Sequence, residues 1–256
     1  MKLTAENYYS PEANKAYWSA SFVKEMLDCP NRAMGGLDGT YDRGNSTALL
    51  VGSFVDSYFE GEDSFASFIE EHPEIINSRT GEFKSDFNKA LLMIARAKAD
   101  PVFMEFMQGE KQKILTGEIG GIPFKCKLDV YLPGERIVDL KTVKDFEPMY
   151  RKEEGRLHFA EYWRWTLQMA IYQHLEGNKL PCYLACITKQ DPPDIQVIQI
   201  PQHILDTEME ILLEKLPYLD AIRQGVIEPD RCESCAYCRN TRKLSGAVSL
   251  DELTNI

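Results

Sequence analysis

Residues 117–142, GEIGGIPFKCKLDVYLPGERIVDLKT, constrain this chain more than any other stretch. Both ends are strand-like, and Pro133-Gly134 marks a turn between them. Phe124, Cys126, Leu128 and Val130 fall on one face of the first strand, with Lys125, Lys127, Asp129 and Tyr131 on the other. Ile137, Asp139 and Lys141 share a face of the second strand, because strand side chains repeat every two residues. If residue 129 faces residue 139, then 132 faces 136 and the loop is Pro133-Gly134-Glu135. A two-residue loop would shift the pairing by one and put the two acids on opposite faces. The three-residue loop gathers two carboxylates and a lysine, a set that can hold a hard divalent cation through oxygen beside an ammonium group. A solvated hairpin face also carries Asp and Lys as an ordinary cross-strand pair, so one Asp-x-Lys decides little alone.

The chain of 256 residues is long enough for one large domain, which suits it better than two small ones. Its 44% hydrophobic and 27% charged residues are ordinary for a globular protein. No apolar run approaches the roughly 18 residues of a membrane span. The N-terminus, MKLTAENYYSPEANKAYW, lacks the apolar stretch of a signal peptide, so a cytoplasmic location is the expectation. A net charge of −11 argues against coating nucleic acid by bulk electrostatics. It leaves room for a local basic track around an acidic metal site.

Along the chain, residues 1–18 read as an extended surface segment, 19–110 as mainly helical, 111–200 as a sheet with one central helix, and 201–256 as a helix followed by a cysteine motif. Ser19 or Ser21 can cap a first helix that ends near Cys29-Pro30. The next helix, 47–60, carries Asp56 one turn after Gly52. Segments 65–71, 85–98 and 102–107 follow as packing helices, with Asp100-Pro101 as a break. Residues 113–118 begin the sheet and include Glu118. A charged connection over 146–158 precedes a long helix over 159–176, where Gln168 and Tyr172 are four apart and share a face. Strands at 181–189 and 195–200 precede the last long helix, 203–224.

Seven cysteines are unevenly spread. Cys232, Cys235 and Cys238 are spaced C-x2-C-x2-C, close enough to chelate one metal centre, and want a fourth ligand. Cys29, at a helix–loop junction, is the candidate. The spacing does not choose between zinc and an iron–sulfur cluster.

Together these pieces resemble PD-(D/E)XK nucleases of the RecB-like branch, and within it the phage-encoded exodeoxyribonuclease VIII (RecE-like) proteins. The likeness runs through CPNRAM, ALLVGSFVDSYFEG, KLDVY…IVDLKT, QMAIY and CESCAYCRNTRKL in that order. It implies an α/β fold with a restriction-endonuclease-like core, a mixed central sheet flanked by helices, in a single nuclease domain over 1–256. Asp129 matches the first metal-binding acid, Asp139 and Lys141 the D-x-K pair, and Gln168 with Tyr172 the Q-x-x-x-Y helix bordering the active site. Asp56 stands where many relatives have histidine, and can still bind Mg²⁺ or Mn²⁺ through oxygen. Glu118 is a further candidate for substrate or metal contact. Cys29 before the core and three cysteines after it resemble the layout of relatives that carry a cluster, which puts [4Fe–4S] ahead of Zn²⁺. The implied activity is metal-dependent hydrolysis of DNA, 5'–3' from double-strand ends, in phage or prophage recombination within a bacterial host cell. DNA, a single-strand annealing protein and further copies of the chain are the implied partners. A catalytically silent DNA-binding scaffold and a single-strand or flap endonuclease are the alternatives.

Overall fold

The Pro-Gly turn closes with the longer loop. A computed structural model describes every residue except Arg43, Asn45, Glu153, Ser245, Val248 and 251–256; the last six residues of the 201–256 segment thus lie outside the described residues. In it, β1 (Glu110–Ile119), β2 (Ile122–Leu132) and β3 (Arg136–Val143) run antiparallel, and Leu132 pairs with Arg136. The loop is therefore Pro133-Gly134-Glu135. Glu135 N–H donates to the Leu132 carbonyl at 3.0 Å, and Gly134, at φ 75°, takes the left-handed conformation that a side chain disfavours.

Two short strands, β4 (Met149–Arg151) and β5 (Gly155–Leu157), pair with each other in the charged connection, which is a small hairpin rather than a bare loop or helix. β6 (Cys182–Thr188) lies parallel to β3, and β7 (Ile195–Ile200) antiparallel to β6, giving a five-stranded sheet in the order β1-β2-β3-β6-β7.

The helices are α1 (Pro11–Ala16), α2 (Ala20–Asp28), α3 (Pro30–Leu37), α4 (Thr47–Glu60), α5 (Glu62–Glu71), α6 (Ser85–Lys98), α7 (Pro101–Phe106), α8 (Phe159–Tyr162), α9 (Trp165–Glu176), α10 (Gln202–Arg223) and α11 (Ala236–Asn240). The expected single helix over 159–176 is broken in two. Arg164, at φ 52°, sits in the left-handed region between α8 and α9 and redirects the chain.

Contacts divide the chain into two units, one of Met1–Ser21 with Gly44–Leu216, the other of Phe22–Arg43 with Pro217–Ile256. In the first unit, Phe54, Val55 and Phe59 of α4, Ala90, Met93 and Ile94 of α6, and Phe103 of α7 share a core with Val138 and Leu140 of β3 and Ala185 and Ile187 of β6. Burying the Phe, Val, Met, Ile and Leu side chains among these stabilises by about 1.5–3 kcal/mol each. Asp139 and Lys141 alternate with Val138 and Leu140, so they point to the opposite face, where Asp139 meets Gln168 of α9.

The N-terminal segment is not the loose surface strand its polar composition suggests. Ser10 Oγ caps α1 by accepting from Ala13 N–H at 3.1 Å, and Tyr8, Ala13 and Trp18 are buried. The cause lies in β2. β2 pairs with β3 only from Leu132 back to Val130, and Trp18 takes up edge groups further back, donating to the Pro123 carbonyl and accepting from Lys125 N–H, both at 2.8 Å.

In the second unit Val23, Met26, Ala33, Leu219 and Ile222 are buried. Gly35 makes room there for Tyr237, since a Cβ would lie 2.6 Å from its Cζ and the ring would have to shift. Thr40 Oγ1 and Tyr237 OH, 3.2 Å apart, fix the same contact.

Candidate active site

A cavity of about 920 Å³ in the first unit is lined by Asp56, Asp129, Asp139, Lys141, Gln168 and Tyr172. These six come from four elements, α4, β2, β3 and α9. Asp129 and Asp139 emerge together because the hairpin register carries them to facing positions just beyond the Val130–Val138 pair. Asp129 Oδ2 accepts the backbone N–H of Leu140 at 3.0 Å. Asp139 is almost fully buried; its Oδ2 pairs with the Lys141 ammonium, and its Oδ1 accepts from Gln168 Nε2 at 2.8 Å. The same Gln168 nitrogen lies 3.0 Å from Tyr172 OH, one helical turn on. Lys141 Nζ also stands 5.6 Å from the centre of the Trp165 ring.

The electrostatics follow from crowding three acids around one cation. Burial, reinforced by the Asp139 charge, pushes the Asp129 carboxyl up to about 7 against the pull of Lys141 and the Leu140 N–H. Burial and the Asp129 charge hold Asp56 well above the usual carboxylate range. Burial alone would pull Lys141 down, but Asp139 and Asp129 outweigh it and keep the ammonium firmly protonated. Burial, with Asp139 and Asp129 nearby, raises the Tyr172 phenol, which stays neutral.

Glu118 does not join this group. It is exposed on β1 opposite Pro123 and is not among the cavity's lining residues. The residue of β1 that comes to the site is Gln112, between the Lys111–Val130 and Lys113–Leu128 pairs and therefore across from Asp129. It adopts φ 54°, its Nε2 lies 3.5 Å from Asp129 Oδ1, and its Oε1 is buried without a hydrogen-bond partner among the described residues. Glu60, Lys127, Tyr8 and Tyr9 line the same cavity.

The second unit brings Cys29, Cys232, Cys235 and Cys238 together, with all four sulfurs within 4.8 Å of one another. Burial pushes the Cys29 thiol up to about 12. At Cys232 burial acts in the same sense, but the Ser234 hydroxyl and the N–H groups of Cys235 and Ser234 outweigh it and bring the thiol down to about 6.

Residues 19–241 match the family described as a PDDEXK-like domain of unknown function (DUF3799). The chain belongs to this family. A crystal structure of a "Putative exonuclease" from Eubacterium rectale is 41% identical to this PDDEXK-like chain, covering 99% of it and 98% of the relative with a TM-score of 0.94. A structure of SSO0001 aligns over 76% of this chain and 84% of its own at 14% identity and a TM-score of 0.28, too slight a likeness to carry an argument. No curated protein matches. Family and relative together support a nuclease, and no described helix is long and apolar enough to cross a membrane.

Of the lining residues that sequence reasoning passed over, Glu60 had a signal: it lies four residues after Asp56, on the same face of α4. Gln112 had none, since its place depends on a left-handed residue within a strand.

Proposed function

We propose that this protein is a divalent-metal-dependent exodeoxyribonuclease whose Asp129, Asp139 and Asp56 hold Mg²⁺ or Mn²⁺. The observation that carries this reading is the emergence of Asp129 and Asp139 side by side, with Lys141 paired to Asp139 in the same cavity. The donor set fits such an ion. The carboxylates of Asp56, Asp129 and Asp139, the first two held back from ionising by burial and by their neighbours' charge, are the hard oxygen ligands it takes, and beside them Gln112 offers a buried amide oxygen with no hydrogen-bond partner among the described residues. A bound divalent ion would polarise the scissile phosphate and lower the pKa of a water.

The side chains supply the rest. Gln168 anchors one oxygen of Asp139, and Lys141 holds the other. The Lys141 ammonium orients the attacking water and stabilises charge that develops on the phosphate oxygens. Exonucleolytic action is supported by the name of the 41% identical relative. Attack in the 5'–3' direction from double-strand ends, a part in phage or prophage recombination, an annealing-protein partner and a cytoplasmic setting rest on the sequence resemblance.

Digestion of linear duplex, closed circular and single-stranded DNA, each with Mg²⁺, Mn²⁺ or chelator, tests the reading. Metal-dependent loss of linear duplex with the circle intact is expected. Cutting of circles would make the protein an endonuclease, and no cutting of any substrate would leave a DNA-binding scaffold.

A further inference from the structure

We propose that Cys29, Cys232, Cys235 and Cys238 bind a single tetrahedral zinc ion, and not the [4Fe–4S] cluster that their layout along the sequence suggests. The distances decide between the two. Cys29 and Cys238 sulfurs are 3.5 Å apart, Cys29 and Cys235 3.9 Å, and Cys232 and Cys238 4.0 Å. Four thiolates at the Zn–S distance of about 2.3 Å, in tetrahedral array, stand ~3.8 Å from one another. In a cubane each thiolate binds a different iron, which spreads the sulfurs well beyond the 4.8 Å that encloses all four here. There is room between these sulfurs for one ion and not for four irons with their bridging sulfides.

The surrounding groups suit thiolates around such an ion. Cys235 N–H donates to Cys232 Sγ at 3.3 Å and Cys238 N–H to Cys235 Sγ at 3.4 Å, a consequence of the C-x2-C-x2-C spacing. Ser234 Oγ donates to Cys232 Sγ at 3.5 Å and Asn31 Nδ2 to Cys238 Sγ at 3.6 Å. Four thiolates around a divalent ion carry a net charge of about −2, and these donors spread it. An all-sulfur set excludes Mg²⁺ and Mn²⁺, and a set of this geometry binds Zn²⁺ more tightly than Fe²⁺.

Four protein ligands also leave no open position, the mark of a structural site. The need is local. The second unit is small, its buried apolar residues are few, and it is assembled from segments whose cysteines lie 209 residues apart. An ion that ties Cys29 to Cys238 therefore supplies folding free energy that this core does not.

The test uses the full chain, purified without oxygen or chelator. Elemental analysis is expected to give about one zinc per chain, no acid-labile sulfide and no visible absorption, and zinc-edge X-ray absorption should show four sulfurs at about 2.3 Å. Iron with matching sulfide and a broad visible band would overturn the proposal. So would a single iron, or protein that is metal-free with its thiols intact or oxidised. Cys232→Ser should lose most of the zinc and melt at lower temperature; full zinc retention counts against the site. If that variant does not fold, Co²⁺ exchange into the wild-type chain gives an independent reading. The intense absorption of tetrahedral cobalt thiolate is expected, and weak octahedral bands would refute the assignment.

Discussion

The Asp129 carboxylate accepts the backbone N–H of Leu140 at 3.0 Å, next in sequence to Asp139. The ladder between β2 and β3 stops at the Val130–Val138 pair, so a side chain here satisfies a backbone donor beyond it. One oxygen of Asp129 is thereby committed to the fold, and the other faces Gln112 in the cavity. The same bond closes the parting of the strands and holds the first acid beside the second.

That geometry separates charge from shape. Asp129→Asn keeps an oxygen to accept the Leu140 N–H, so the hairpin should survive while the anionic ligand is lost. Cleavage is expected to fall by at least ~10²-fold, as when a preorganised charge-stabilising group is removed. Asp139→Asn should fall as far. Lys141→Ala should also lose turnover yet still bind metal, because the acids remain. Calorimetric Mn²⁺ titration beside a nuclease assay distinguishes the two patterns. Wild-type rates in either aspartate variant would exclude the assigned site.

The raised Asp129 pKa gives a pH signature. Its folded value of about 7 exceeds the ordinary 3.8, so the folded state holds this proton more tightly than the unfolded chain does. The resulting stabilisation is fully present below the unfolded pKa and is lost as pH rises through the folded one. Metal-free wild type should therefore lose thermal stability relative to Asp129→Asn between about pH 4 and about pH 8. Added Mg²⁺ should raise the melting temperature more at the alkaline end, where the ligand is already deprotonated. Parallel pH profiles for the two proteins would contradict the assignment.

How much of this was legible in the sequence varies with the range of the physics. The hairpin register followed from local rules: alternation placed Asp129, Asp139 and Lys141, and Pro133-Gly134 set the turn. The Gln168–Tyr172 contact is likewise one helical turn, visible as i,i+4. What could not be read were departures that only tertiary packing stabilises. Arg164 and Gln112 adopt left-handed conformations that nothing in their side chains demands. Glu118 looked suitable because it is acidic and near the hairpin, but the β1–β2 pairing sends it to an exposed position. The N-terminal segment looked solvated because its buried contacts are made with β2, more than a hundred residues on.

Gln168 positions an acid, whereas Tyr172 backs the glutamine. Gln168→Ala leaves the buried Asp139 Oδ1 without its 2.8 Å donor, a loss of about 1–3 kcal/mol in stability together with a fall in kcat. Tyr172→Phe keeps that donor in place and should cost less on both counts. Denaturant melts and steady-state kinetics of the pair check the order. A larger kcat loss in Tyr172→Phe would give the phenol the more direct role.

Tyr9 and Lys127 stand at the same cavity, with the Lys127 ammonium 4.9 Å from the Tyr9 ring centre and Tyr9 68% exposed. An exposed aromatic beside a cation suits a nucleotide at the end of a strand, the base on the ring and the phosphate on the ammonium. Tyr9→Ala should weaken DNA binding by about 1–3 kcal/mol. Lys127→Ala should weaken it and lower the salt dependence of binding by about one unit of slope. Fluorescence anisotropy with labelled DNA in Ca²⁺, at several salt concentrations, measures both. Unchanged affinity in both variants would remove this end of the cavity from the substrate path.

Lys125 ties the N-terminal segment to the sheet. The side chain is 1% exposed, and its ammonium donates to the Tyr8 carbonyl and, at 2.7 Å, to Asn14 Oδ1, while lying 4.5 Å from the Tyr8 ring centre. A buried ammonium is tolerable only when its protons are taken up in this way. Lys125→Met preserves length and apolar contact but removes the donor from both oxygens, a cost of about 1–3 kcal/mol or more. For a chain of this size that corresponds to roughly 2–4 °C in Tm for each kcal/mol. Because Tyr8 and Tyr9 line the active-site cavity, the loss should reach function as a raised KM for DNA with kcat less affected. Limited proteolysis should then cut ahead of Trp18 in Lys125→Met well before it cuts wild type. Equal protection of residues 1–17 in the two proteins, with DNA affinity unchanged, would show that the segment is held by its other contacts alone.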